Sequence, residues 1–354
     1  MASATNDEGT CICISKVRWN DYTHSSLFSL FSKQNNYTTK MNTIGIDMSK
    51  DTFHAAFDDA EVRIFANTKP GIKQFIATLK NKNFTTEDTM IGTEATGVYH
   101  LLFCAELSKK HWQVKVINPL LTHKMISSSI RRVKTDRTDA LAIRKTVLTG
   151  AGYLYTDTPE VLALKALVQE RSALCNMRAQ TKQRIHVHNK RTEATGVKSH
   201  DSFKGVIKLL SHEIVEIEER MAKCVPETQK LLRSIPGVGK VSAATLVAYV
   251  GDIKRFSSAE KLTAYIGLDC RVYESGISIK GKGYLTKRGN TYLRFVLFNA
   301  AGIARRKIPQ LKAYFEKKIK EGKHYFSALC AVERKLVHLI FAVWTRGTHY
   351  EKRV

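Results

Sequence analysis

Two acids each close a short apolar run: Asp47 ends Thr43-Ile44-Gly45-Ile46-Asp47, and Glu94 ends Met90-Ile91-Gly92-Thr93-Glu94. Runs of this kind read as strands, and neighbouring strand ends in one sheet bring two carboxylates within reach of a common ion. Two more acids, Asp136 and Asp139, stand three apart in Lys134-Thr135-Asp136-Arg137-Thr138-Asp139-Ala140, at the head of a helical run. That spacing puts them on one helix face, in the first turn, where the helix dipole favours negative charge. Hard cations such as Mg2+ or Mn2+ take oxygen ligands, and a pair of them clamps the attacking and leaving oxygens of a phosphodiester. Taken singly, each acid has an ordinary structural reading: Asp47 as a turn cap, Glu94 as the partner of a base, Asp136 and Asp139 as helix-cap acids. The joint arrangement points to a metal site built from all four.

The elements that must position these acids follow from the surrounding pattern. Thr52-Phe53-His54-Ala55-Ala56-Phe57 and Val62-Arg63-Ile64-Phe65 continue the first strand into a meander, with Asp58, Asp59 and Ala60 in a turn. Pro70 and Gly71 open a stretch in which Ile72, Phe75, Ile76 and Leu79 recur at helical period. The second acid-ending strand, a helix through Leu101 to Leu107 and the strand Val114-Lys115-Val116-Ile117 complete an α/β domain over residues 41–153. Residues 154–226 change to long charged helices, a helical hairpin or coiled-coil spacer. Leu210, Ile214, Ile217, Met221 and Cys224 form one seam, Arg171, Arg178, Lys182, Arg184 and Lys190 make the first helix basic, and Gly196 suits the turn. Such a hairpin serves as a spacer or a dimer contact. Residues 227–345 form a third, mainly helical domain, followed by a tail over 346–354. Its opening, Ile235-Pro236-Gly237-Val238-Gly239-Lys240, has the pattern of a helix-hairpin-helix, in which glycine lets backbone N–H groups approach a phosphate beside Lys240. The alternative is a plain glycine-containing helix turn.

Composition bounds the partner. In 354 residues, 57 Lys and Arg face 32 Asp and Glu, a formal charge of +25, which self-repels unless a polyanion is bound. Nucleic acid is the expected partner, with a merely basic, soluble surface as the alternative. The seven cysteines are odd in number and scattered, with no metal-ligand spacing, so a reducing compartment is expected, with most of them as small core residues. No apolar run reaches the length of a membrane span. Residues 1–40, rich in Ser, Thr and Asn, read as a disordered extension or an over-extended reading frame ahead of Met41.

A second candidate lies in the C-terminal part. Glu274-Ser275-Gly276-Ile277-Ser278 is followed by Lys280, Lys282, Lys287, Arg288 and Arg294. A serine among cations stands where a phosphate would sit, yet by spacing alone Ser275 is a loop serine with no histidine base beside it. The cations read either as phosphate contacts that position a strand without reading its bases or as an exposed basic face.

The segments Gly45-Ile46-Asp47-Met48-Ser49-Lys50, Thr93-Glu94-Ala95-Thr96-Gly97 and Lys134 to Ala140 together resemble the DEDD transposases of the insertion sequence 110 family. That family includes Piv-type DNA invertases and bridge-RNA-guided recombinases. The resemblance extends from Met41 to about Trp344 and continues through Gly267-Leu268, Ser275-Gly276 and Thr286-Lys287-Arg288-Gly289-Asn290. It implies an RNase H-like (RuvC-like) N-terminal domain whose metal ligands are Asp47, Glu94, Asp136 and Asp139. It also implies a nucleophilic Ser275 that joins covalently to DNA, with Ser278 as fallback, and a composite active site shared between subunits of a homo-oligomer, a dimer or tetramer. Donor and target DNA, a guide (bridge) RNA and a cytoplasmic, nucleoid-associated location in a bacterium follow from the same resemblance. Two departures stand out: Cys270 where many relatives carry proline, and Glu274 where they carry a second serine. A RuvC-like nuclease, such as a junction resolvase, with a structural Ser275 is the second reading. A non-catalytic nucleic-acid-binding descendant is the third.

Overall fold

The computed structural model describes residues 41–95, 97–127, 135–196, 202–270, 274–275, 279–280 and 285–352. The expectation for residues 1–40 lies outside them. Among the described residues no helix is long and apolar enough to cross a membrane.

Strands β1 (Asn42–Met48), β2 (Thr52–Ala56) and β3 (Val62–Ala66) form an antiparallel meander in which Asp47 is paired with His54. The turn between the first two is closed by Ser49, whose Oγ donates to the Thr52 carbonyl at 2.7 Å. Helix α1 (Lys69–Asn81), capped by Thr68 and opened by Pro70, leads to β4 (Thr89–Glu94). Helix α2 (Tyr99–Ser108), β5 (Gln113–Ile117) and α3 (Pro119–Ser127) follow, then α4 (Asp136–Leu148) and the two-residue β6 (Tyr153–Leu154). The sheet order is β3-β2-β1-β4-β5-β6, with β1, β4 and β5 parallel and β6 antiparallel at the edge.

Both faces of the central strands are covered, which is why β1 and β4 read as nearly continuous apolar runs. On one face Phe53, Phe65, Phe75 and Phe103 pack as a ring cluster with centroids 5.0–5.6 Å apart, and Ile72, Leu79 and Leu107 close around it. On the other face α4 lies flush on the strands. A Cβ at Gly45 would stand 2.2 Å from the Ala140 carbonyl oxygen and 2.4 Å from the Arg144 nitrogen, and one at Gly92 would stand 2.0 Å from Val147 Cγ2. Only glycine admits a helix backbone at that distance.

The remainder is helical. Helix α5 (Pro159–Thr195) has 37 residues, about 55 Å at the α-helical rise, and ends on Gly196 in the left-handed conformation (φ 68°). It pairs with α6 (Ser202–Lys223), whose Leu210, Ile214, Ile217 and Met221 are all buried, as the seam predicts. Arg171 ties the two helices through Glu218 (Nε to Oε1, 2.7 Å). The bases of both helices, at Leu164, Val168, Ile217 and Met221, share one core with α7 (Pro226–Arg233), α8 (Lys240–Val250), α9 (Ala259–Ile266), α10 (Thr291–Lys307), α11 (Pro309–Lys320) and α12 (Tyr325–Arg346). The hairpin is thus rooted in the C-terminal core rather than strung between domains. Arg255 fastens the sheet edge to this core: its guanidinium lies over Tyr153 of β6 at 4.5 Å, over Phe256 at 4.7 Å and over Tyr265 at 4.6 Å.

Candidate active site

Strand periodicity decides where the acids face. Side chains two apart on a strand point to one side, so Asp47 faces the side that Gly45 opens to α4, and Glu94 faces the side that Gly92 opens to it. Each strand therefore carries glycine, spacer, acid: the glycine admits the helix and the acid lies just beyond it. Asp136 lies beside His54, the partner of Asp47, while Arg144 reaches back to the Thr43 carbonyl, so α4 runs against the strand direction, crossing from Gly45 towards Gly92 as it goes. Its first turn, with Asp136 and Asp139, sits at the strand ends beside Asp47.

The charges register this convergence. The Asp47 carboxyl is pushed up to about 6 by burial first, then by the negative charges of Asp139, Asp136 and Glu94 in that order, with a Met48 backbone hydrogen bond opposing. Three acids remote in sequence act on the fourth, so the fold places all four expected acids in one neighbourhood, but no three of these described residues bring their oxygens within 4.8 Å of one another.

Several contacts hold them. Thr135 and Thr138 form a reciprocal cap at the head of α4, with Thr138 N donating to Thr135 Oγ1 at 3.2 Å and Thr135 N to Thr138 Oγ1 at 2.9 Å. Arg137 Nη2 donates to the Ala60 carbonyl at 2.7 Å, and Arg144 reaches the Thr43 carbonyl (Nε, 2.9 Å) and Asp59 (Nη1, 2.9 Å), pinning the helix to β1 and the β2–β3 turn. Buried Thr122 of α3 donates its hydroxyl to Glu94 Oε2. His54 Nδ1 lies 3.8 Å from Asp136 Oδ2. Neither Thr122 nor His54 carries a sequence signal for this role; their places follow from the α3 connection and the β1–β2 register.

As a donor set, four carboxylates suit a hard divalent cation, and the burial and mutual repulsion that together raise Asp47 are what such a cation offsets. The fit is one of chemistry and charge. Among the described residues, the trio of ligand-type side chains whose atoms lie within 4.8 Å of one another is His212, Glu213 and Glu216 on the outer face of α6, remote from this site.

The serine region is built differently from a plain loop. Ser275 lies on β7 (Glu274–Ser275), paired with β8 (Ile279–Lys280), so a small hairpin carries it. Its stalk is clamped: Cys270 bridges Leu285, Thr286 N donates to the Asp269 carbonyl at 2.9 Å, and Lys287 N donates to the Gly267 carbonyl at 3.1 Å. Gly267, at φ 83°, passes so close to Gly289 that a Cβ would stand 2.6 Å from its nitrogen. Arg294 is turned inward, its Nη1 donating to the Ile266 and Gly289 carbonyls at 3.0 and 2.6 Å. Its guanidinium braces the stalk, a use that the phosphate-contact expectation did not include. Lys240, Lys287 and Arg288 are exposed. The side chains of Ser275 and Lys280, and the whole of Ser278 and Lys282, lie outside the described residues.

Residues 44–192 match a family model described as Transposase, of the DEDD type of IS110. Residues 229–316 match that of the Transposase IS116/IS110/IS902 family. Among curated relatives, the pilin gene-inverting protein of Moraxella bovis is 28% identical over 322 residues, spanning 88% of this chain and 98% of its own length. The transposase for insertion sequence element IS1328 of Yersinia enterocolitica is 24% identical over 344 residues, spanning 87% and 98%. That for insertion sequence element IS1111A of Coxiella burnetii is 24% identical over 362 residues, spanning 91% and 94%. A mixed sheet with acids at its strand ends, joined to a mainly helical part and matched over 87–88% of the chain by such proteins, defines an enzyme of the transposase and recombinase class. The chain belongs to the IS110 family of DEDD transposases.

Proposed function

We propose that the protein cleaves and rejoins DNA through a serine-linked intermediate, using Asp47, Glu94, Asp136, Asp139 and Ser275. The observation that carries the reading is the position of the first turn of α4 beside the strand-end acids: Asp136 lies 3.8 Å from His54, the β2 partner of Asp47, and Asp139, Asp136 and Glu94 all act on the half-buried Asp47 carboxyl. In this reading Mg2+ or Mn2+ held by the four carboxylates supplies Lewis-acid stabilisation of the charge that develops on phosphoryl oxygens. Ser275 Oγ attacks phosphorus, giving up its proton as the new P–O bond forms, while the bond to the deoxyribose oxygen breaks and that oxygen leaves protonated. Rejoining is the reverse displacement: a strand hydroxyl attacks the phosphoserine and Ser275 regains its proton. The number of phosphate ester bonds is unchanged, so no energy-rich cofactor is required. Thr122 orients Glu94 for its ligand role.

The strand order of the sheet, with an antiparallel meander leading into parallel β4 and β5, supports an RNase H-like, RuvC-like reading of residues 41–153. The turn between α7 and α8, with exposed Gly239 open on its outer side, supports a helix-hairpin-helix that holds a phosphate backbone beside Lys240, whereas Gly237 (φ 103°) backs onto Ala300 and Ala304 of α10. Residues 154–226 form a helical hairpin whose base joins the core of the C-terminal domain of residues 227–345, so of the two roles expected for it the contact between copies is favoured over the spacer. The acids and Ser275 sit on different parts of the fold, which fits a homo-oligomer, a dimer or tetramer, in which one subunit's serine meets another's acids. Exposed Met177, Val206, Leu209 and Val215 along the α5–α6 hairpin suit a contact between copies. A guide RNA from the protein's own element is proposed from the family resemblance and from the basic stretch Arg178 to Arg191 of α5. Inversion as the outcome has the precedent of the pilin gene-inverting relative.

The test is strand exchange on DNA carrying the element's ends, with trapping of the protein–DNA adduct. Ser275→Ala is expected to abolish both exchange and adduct, and Asp47→Asn to abolish cleavage. Continued cutting by Ser275→Ala would overturn the covalent route in favour of metal-dependent hydrolysis.

A further inference from the structure

Helix α10 presents exposed apolar side chains on its outer face, beside Tyr292 and Phe298, which are half-buried against the core. Phe295 is 60% exposed and Ile303 40% exposed, on a helix whose Leu293, Val296, Leu297, Ala300, Ala301 and Ala304 face inward. At the start of α12, Phe326 is 59% exposed and stacks on Phe298 of α10 with centroids 6.2 Å apart and planes at 29°. Phe295 stacks in the same manner on Tyr292, at 6.4 Å and 28°. Residues three apart are neighbours on a helix surface, so Tyr292, Phe295 and Phe298 make one row that Phe326 extends onto the next helix.

This row is held rigidly. Arg305 donates from Nη2 to Tyr325 Oη at 3.1 Å, with its guanidinium carbon 4.4 Å from the centre of the Phe315 ring. His324 Nδ1 accepts from Phe326 N at 3.3 Å. The N-terminus of α12 is thereby fixed with the Phe326 ring turned outward, not left loose.

The charge around the row selects its partner. Helix α10 itself contains no Asp or Glu and ends on Arg305, Arg306 and Lys307, of which Arg306 and Lys307 are exposed. Two copies apposed through this face would bring like charges together, which disfavours self-association, whereas a polyanion neutralises them. Duplex DNA offers phosphates but keeps its base faces stacked inside. An unpaired strand offers both phosphates and free π-faces, and aromatic side chains in a cationic setting are how such strands are held without reading their sequence.

We infer that the aromatic row Tyr292, Phe295, Phe298 and Phe326, flanked by the basic end of α10, binds unpaired single-stranded DNA by base stacking. The site holds strands opened around the cleavage point, and its action is separate from that of the acids and of Ser275. The inference rests on the DNA-acting reading above and adds a strand state and a location to it.

The test is fluorescence anisotropy of the full-length protein with a labelled oligodeoxythymidylate, a duplex of equal length, an abasic strand and an oligouridylate. Phe295→Ala and Phe326→Ala are each expected to weaken oligodeoxythymidylate binding by roughly 5- to 100-fold, the range for one base stack. The salt slope stays unchanged because no cation is removed, and duplex affinity is kept. Phe295→Trp retains binding, and Phe295→Leu, which keeps apolar surface without a ring, loses it; equal unfolding midpoints establish that each variant is folded. Unchanged oligodeoxythymidylate affinity in Phe295→Ala would overturn the inference while leaving the DNA-acting reading intact. So would an equal loss on the abasic strand, a loss confined to oligouridylate, or a change in sedimentation without a change in strand binding, which would make the face a contact between copies. If the wild-type protein bound neither strand nor duplex, the broader reading would fail with it.

Discussion

Replacing Asp47 by Asn removes one negative charge from a site where four converge, and it is expected to stabilise the metal-free fold while abolishing activity. The Asp47 carboxyl is raised from 3.8 to about 6 by burial and by Asp139, Asp136 and Glu94. At about 1.4 kcal/mol per unit this bounds the cost of ionising it in the fold at roughly 3 kcal/mol. Because Asp47 is only partly buried, solvent screening reduces the figure to roughly 1–2 kcal/mol. A raised acid weakens the fold progressively as pH rises from the unfolded value to the folded one. The gain from Asp47→Asn is therefore absent below about pH 4, grows through about pH 6 and is complete above it. Urea and thermal unfolding in chelator, near neutral pH and again near pH 4, measure it, and the neutral-pH gain corresponds to a rise of a few degrees in Tm. A Mn2+ titration then reverses the ranking: wild type gains stability from the ion through linkage, and the variant gains much less. Refutation would be an Asp47→Asn protein no more stable than wild type at neutral pH in chelator, or one whose gain persists undiminished near pH 4. Either result would mean that neither burial nor the neighbouring acids hold the Asp47 carboxyl above its ordinary value.

The same packing yields further expectations. Gly45→Ala forces a Cβ into the α4 backbone, 2.2 Å from the Ala140 oxygen; it should cost about 1–3 kcal/mol in urea unfolding and abolish strand cleavage by displacing Asp136 and Asp139. Thr122→Val deletes the hydroxyl that Glu94 accepts and should weaken Mn2+ affinity about 10- to 100-fold, read by calorimetry, with little change in fold. Glu333 is buried in the C-terminal core and pushed up to about 8 by burial, against the pull of Arg294. Glu333→Gln should therefore stabilise the protein increasingly from about pH 4.5 upward and fully above about pH 8, read as the pH dependence of the unfolding midpoint.

Much of the sheet was legible because its signals are local. β1, β4 and β5 announce themselves as apolar runs, and the α6 seam as alternating steps of four and three. The two-residue strands β6 and β7 did not, since so short an element has no period to read and exists only through its pairing with β5 or β8. Arg294 looked like one more cation in a basic run. Its inward turn depends on the carbonyls of Ile266 and Gly289 meeting at the loop stalk, which no spacing in the chain encodes. Gly45 and Gly92 were visible as residues two before each acid, but their purpose needs a helix to be lying on them.

From its residues alone, then, the chain determined an excess of positive charge, four acids at strand ends and in a first helical turn, and a helix-rich C-terminal part. These rest on side-chain chemistry and on periods of two and 3.6, which the order of residues contains. Only the tertiary structure decided that α4 runs back across β1 and β4, so that Asp136 and Asp139 press on Asp47, that Thr122 bonds Glu94, and that Phe326 joins the row on α10. Those outcomes depend on which surfaces pack, and packing is settled by the shape and burial of segments tens of residues apart, where local pattern has nothing to say.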